Sequence, residues 1–131
     1  MTKRSRYSYD VTLSMLKERI AAGGNTIFAE IDQAAAANEA GLQLRPTMLI
    51  VFGNPKGGTP IMDAFPLAAL DLPLKLLIWE DGDGVAIAYV PMSEIAARYG
   101  VTAMEERIAA MDAALEQLTG AVVSAASQEA P

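Results

Sequence analysis

The apolar positions of this chain follow two periods, and the changes between them mark its elements. Leu13, Leu16 and Ile20 fall on one helical stripe, which predicts a helix over about 12–22. Asp10 or Thr12 can cap its start, and Gly23-Gly24 can end it. Ahead of it, residues 4–9 read as a short strand with Tyr7 and Tyr9 on one side. In "NTIFAEID", Ile27, Ala29 and Ile31 alternate with Phe28 and Glu30, a strand pattern. Asp32 then reads as the N-cap of "QAAAANEA", with Gly41 at its end. The alanines of that helix favour helicity and leave a smooth surface for tight packing.

"TMLIVF" (47–52) is continuously apolar, as in a strand covered on both faces. Pro46 precedes it, where a missing N–H does least harm. Thr59-Pro60 reads as a helix opening, and Pro66 breaks 60–70 into two short helical turns. "LKLLIW" (74–79) and "VAIAYV" (85–90) are strands joined by the hairpin signal "EDGDG". Ser93 to Tyr99 reads as a helix closed by Gly100. The last helix carries Met104, Ile108, Met111, Leu115 and Leu118 on one stripe, with Thr102 and Glu105 as a capping box and Gly120 as its close. Such a stripe packs on the core or on a second chain.

Strands separated by helices, with a hairpin near the end, define an α+β fold. The expected architecture is a mixed, mostly antiparallel sheet of about four or five strands covered by helices, a two-layer sandwich. With 131 residues, one domain is expected, and a core can form without disulfides or metals. No apolar run approaches a membrane span, and no signal-like segment opens the chain, so a cytoplasmic protein is expected.

Composition narrows the chemistry. The chain has no cysteine, which removes thiolate metal sites and cysteine nucleophiles. It has no histidine, which removes the Ser-His-Asp arrangement and the usual general base near neutral pH. No catalytic residue, metal site or cofactor is assigned. A net charge of −6 argues against nucleic acid as a partner. Lys3, Arg4 and Arg6 form a small basic cluster, expected to be a mobile terminus. "EDGDG" lacks the spacing of a calcium loop. Glu30 and Asp32 form a conceivable carboxylate pair, but Asp32 already serves as a helix cap.

The stretch "VFGNPKGGTP" (51–60) carries the functional question. A glycine-rich turn from a buried strand into a helix can expose N–H groups to an anion. Asn54, Lys56, Gly57, Gly58 and Thr59 are the candidate ligand-binding residues, with a small anionic molecule as the candidate ligand. The P-loop pattern is absent, because Lys56 precedes the last two glycines and Pro60 removes an N–H. The competing reading is a tight turn in which Gly53, Gly57 and Gly58 supply positive φ.

Taken together, "LRPT", "FGNPK-GTP" and "LDLPLK", within residues 28–84, then Tyr89 and "IAARYG", resemble domain of unknown function family 302. The resemblance covers about residues 10–100. It implies a small α+β sandwich, usually paired as a homodimer, with no established activity. The chain departs from the family at Asp32-Gln33, commonly Asp-His, and at Tyr89-Val90-Pro91, commonly Tyr-Asn-Asp-Pro. The expected organisation is a family domain over 4–100, an amphipathic helix over 101–120 on the same domain or on a dimer partner, and a disordered tail over 121–131. Three functional classes follow: a homodimeric binding module, a protein-interaction module, and an enzyme using Asp, Glu, Lys or Tyr.

Overall fold

The computed structural model describes residues 1–123. In chain order the elements are β1 (Thr2–Arg4), α1 (Tyr9–Ala22), β2 (Thr26–Asp32), α2 (Gln33–Glu39), β3 (Thr47–Gly53), α3 (Pro55–Ala64), a 3-10 turn (Pro66–Leu70), β4 (Leu74–Asp81), β5 (Gly84–Ala88), α4 (Met92–Tyr99) and α5 (Glu105–Gly120). The five strands form one sheet in the order β1-β5-β4-β3-β2. Every neighbouring pair is antiparallel, so the sheet is α+β as expected and without a parallel pairing.

Alternation along the strands decides which side is covered. Ile50, Phe52, Leu74, Leu76, Ile78, Val85 and Ile87 are buried on one face. They pack against Leu16 and Ile20 of α1, Ile61 of α3, Ile95 of α4 and Leu115 of α5. Full burial of each such side chain stabilises by about 1.5–3 kcal/mol. The intervening residues Leu49, Val51, Leu77 and Trp79 are only half-buried. The stripe read on the last helix is real: Leu115 is buried, and Met104, Ile108, Met111 and Leu118 pack against the core.

The N-terminus differs from expectation. The first strand ends at Arg4, and Tyr9 already belongs to α1. Ser8, rather than Asp10 or Thr12, caps that helix by accepting from the Val11 N–H at 3.3 Å. The basic cluster is structural. Lys3 Nζ donates to Thr119 Oγ1 at 2.8 Å and lies 3.1 Å from Glu116 Oε2. Arg4 holds both oxygens of Asp81, at 2.8 and 2.6 Å.

The other end differs too. The Thr102–Glu105 box does not form: Met104 is the N-cap of α5, and Glu105 Oε1 accepts from the Ala103 N–H at 3.3 Å. Ala103 is left-handed, with φ of 64°, and turns Thr102 out of the capping position. The chain stays packed past 121, since Val122 and Val123 are buried and Ser5 bridges Val123. The remainder of the expected tail, 124–131, lies outside the described residues.

α4 has no cap of its own, because Pro91 occupies that position. Asp112 of α5 supplies it, accepting from the Met92 N–H at 2.6 Å and the Ser93 N–H at 3.2 Å. Helix α5 is thereby tied to the domain through backbone groups as well as through its apolar stripe.

Candidate functional site

The stretch 51–60 is neither a loop nor an open anion cradle. Helix α3 begins at Pro55, well before the Thr59-Pro60 opening read from the sequence. Asn54 is the N-cap: its Oδ1 accepts from the Lys56 N–H at 3.0 Å. Its carbonyl accepts from Gly57 at 2.9 Å and Gly58 at 3.1 Å. Pro55 has no N–H to offer, so the amides of this first turn are already engaged. Neither Gly57 nor Gly58 has positive φ; among the described residues, that conformation falls on Gly24, Gly41, Gly84 and Gly100, with Ala103 the non-glycine case.

Two helix openings compete in this sequence, Asn54-Pro55 and Thr59-Pro60, and the first prevails. Pro60 therefore sits inside α3 and cannot donate to the Lys56 carbonyl four residues back. Arg107 of α5 donates to that carbonyl instead, at 2.9 Å, and reaches the Gly57 carbonyl at 3.4 Å. The compensation comes from about fifty residues downstream, beyond the reach of local pattern reading.

The first turn of α3 forms one wall of a cleft of about 580 Å³, open to solvent at the end of the sheet. Asn54, Gly57, Gly58 and Thr59 all line it; Lys56, exposed on the helix, does not. The opposite wall is the face of α5 carrying Met111, Ala114, Leu115 and Leu118. Phe52, Met62, Leu72 and Leu74 contribute further apolar surface, and the end of α1 brings Arg19 to the rim. Asn25 and Gln117 add amide groups. No aspartate or glutamate is among the lining residues.

Phe28 also lines the cleft, and its position has a local cause. The β2–β3 register shifts between Ile27 and Ala29, leaving Phe28 outside the pairing and 52% exposed. Its place on the polar phase of β2, shared with Glu30, was a visible signal. Arg19 and the α5 residues carried no such signal, because only the fold brings them here.

The other candidates are occupied elsewhere. Glu30 pairs with Lys17 at 3.0 Å, and Asp32 caps α2 through the Ala35 N–H at 2.9 Å. Asp81 in the hairpin is held by Arg4 and the Asp83 N–H, which bring its carboxyl down to about 2. Burial and the Glu116 carboxylate push the Tyr89 hydroxyl well above its ordinary range. Tyr89 and Lys3 in turn hold Glu116 low. Asp71 is lowered by the Tyr99 hydroxyl and by Arg98, at 2.6 and 2.7 Å. None of these groups lines the cleft at the end of the sheet. No helix of the described residues is long and apolar enough to cross a membrane.

The fold and site define a single-sheet α+β domain with an apolar cleft between its first β-to-α turn after β3 and its last helix. The model of the family described as Domain of unknown function DUF302 matches residues 1–118. The chain belongs to that family, and the match takes in α5 as far as Leu118. A crystal structure of an uncharacterised conserved DUF302 protein from Bacillus stearothermophilus superposes with a TM-score of 0.83, at 17% identity, covering 92% of this chain and 94% of that one. Among curated proteins, Fluoride-specific ion channel FluC 1 of Brucella suis biovar 1 is 43% identical over 84 residues, covering 64% of this chain and 33% of that protein. FluC 1 of Brucella abortus biovar 1 is 43% identical over 84 residues, covering 64% of this chain and 31% of its own length. The chain thus spans about a third of the curated relatives it matches.

Proposed function

We propose that this protein binds a small organic molecule in the cleft between α3 and α5, and does so as a homodimer. The observation that carries the first part is the cleft itself. Its volume of about 580 Å³ lies within the range of small-molecule sites, and its lining is mainly apolar with a few polar groups at the rim. Gly57 and Gly58 fit this role: in a helix they cost stability, but they let the α3 backbone form a bare wall. The fluoride named for the Brucella channels is not carried over, because the match covers only about a third of those proteins. The perturbed titratable groups lie outside the cleft, which favours binding over catalysis.

Helix α2 supports the homodimer. It has seven residues and none is buried, and Ile31, Leu42 and Leu44 beside it are 41%, 65% and 46% exposed. A helix that short is not stable on its own hydrogen bonds, and a second chain laid on this surface would cover it.

A thermal-shift screen of apolar and amphipathic compounds tests the cleft, with Ala114→Trp alongside to fill it. A ligand of the native state raises the melting temperature with its concentration. Shifts seen in the wild type and lost in the variant are expected; shifts equal in both would overturn the assignment. Sedimentation of the wild type and of Leu42→Glu tests the dimer, which the variant is expected to weaken.

A further inference from the structure

We infer that the ligand of the cleft is an organic anion, with a ring-bearing apolar body between α3 and α5 and one carboxylate or similar group met by Arg19. This rests on the reading of the cleft as a ligand site and adds the ligand's charge and orientation. The chain is acidic, with 16 Asp and Glu against 10 Lys and Arg. Yet no carboxylate lines the cleft, and its one charged lining residue is Arg19. That residue stands in the last turn of α1, where a cation also complements the helix dipole. The dipole explains a cation there. It does not explain a cleft cleared of carboxylates on every wall.

Among the polar lining residues, Arg19 and Asn25 lie at the end of α1, while Asn54, Thr59 and Gln117 line the α3 and α5 walls. Asn25 follows α1 by a short turn, and the start of α1's exit brings Arg19 and Asn25 to the same rim. The Asn25 amide nitrogen leans on the Ile20 carbonyl at 3.4 Å, which leaves most of its hydrogen-bonding capacity for a ligand. The body of the site is aromatic and sulfur-bearing: Phe28, Phe52, Met62 and Met111. Such surfaces favour a ring, by aromatic pairing and by sulfur–ring contact. The charge thus sits at the α1 rim, and not at the first turn of α3, whose amides are engaged.

Isothermal titration with 4-phenylbutyrate and its neutral amide, 4-phenylbutanamide, tests this on the wild type, Arg19→Gln, Ala114→Trp and Thr59→Trp. The acid is expected to bind the wild type about tenfold more tightly than the amide, the scale of one charge-assisted hydrogen bond. Arg19→Gln is expected to bring the two within about threefold of each other, and high salt to shrink the preference in the wild type. Circular dichroism of each variant checks folding, and two cleft-filling variants guard against one failing to fold. If the amide binds as well as the acid, and the Trp variants abolish both, the charge assignment is wrong and the cleft stands. If neither compound binds at millimolar concentration, or the folded Trp variants bind both unchanged, the cleft reading fails and this inference with it.

Discussion

The Arg107 guanidinium of α5 donates to the main-chain carbonyl of Lys56 at 2.9 Å, the carbonyl that Pro60 leaves without its helical donor. One hydrogen bond thus joins the two walls of the cleft and repairs the defect in α3. Arg107→Ala is expected to lower stability by about 1 kcal/mol, given the exposure of the contact. In a Pro60→Ala background the carbonyl regains an N–H partner, and the same substitution is expected to cost much less. Urea denaturation of the four proteins, read as a double-mutant cycle, measures the coupling. Additive effects would show that the two residues do not act on one group.

Gly57 lies in the first turn of α3. A β-carbon built on Gly57 meets nothing within 4 Å, and its φ is not positive. Gly57→Ala is therefore expected to stabilise the fold by about 0.5–1 kcal/mol. Gly100 has φ of 65° at the end of α4, so Gly100→Ala is expected to destabilise by about 1–2 kcal/mol, although space is equally free there. Opposite shifts in melting temperature are the expected outcome. Should Gly57→Ala also weaken ligand binding, the glycine is kept for the cleft wall.

Asp112 reaches across from α5 to cap α4, so its removal strikes a helix it does not belong to. Asp112→Ala is expected to cost about 1–2 kcal/mol, and Asp112→Asn less, since the amide oxygen can still accept. Hydrogen exchange localises the effect: faster exchange at the first turn of α4 is expected, with the far end of the sheet unchanged.

The Arg4–Asp81 pair predicts an acid response. The Asp81 carboxyl is depressed from 3.8 to about 2, first by Arg4 and next by the Asp83 N–H. A depressed carboxyl stabilises the fold above its unfolded pKa and loses that contribution as the pH falls through its folded value. The wild type should therefore lose stability between about pH 4 and pH 2 more steeply than Asp81→Asn. Melting temperatures of both proteins across that range provide the check, and parallel curves would contradict it.

Much of the architecture was legible in local signals. The alternation in "TIFAEID", the apolar run "TMLIVF" and the "EDGDG" turn locate β2, β3 and the β4–β5 hairpin, because strand period and turn chemistry are short-range. The family resemblance was legible too, and the match over residues 1–118 bears it out. The helix starts were less so. Ser8, Asn54 and Met104 prevail over Asp10 or Thr12, Thr59 and Thr102. Arg107 compensates Pro60, and left-handed Ala103 displaces Thr102. The cleft was half visible: Asn54, Gly57, Gly58 and Thr59 are adjacent in sequence, whereas Arg19 and Leu118 join them only through folding.

The most direct measurement is a ¹H–¹⁵N correlation titration with 4-phenylbutyrate. Binding in the cleft requires shifts concentrated at Asn25, Phe28, Gly57, Gly58, Ala114 and Leu118, saturating with one dissociation constant. Shifts confined to α2 and the half-buried face of the sheet, with these six amides unmoved, would contradict it.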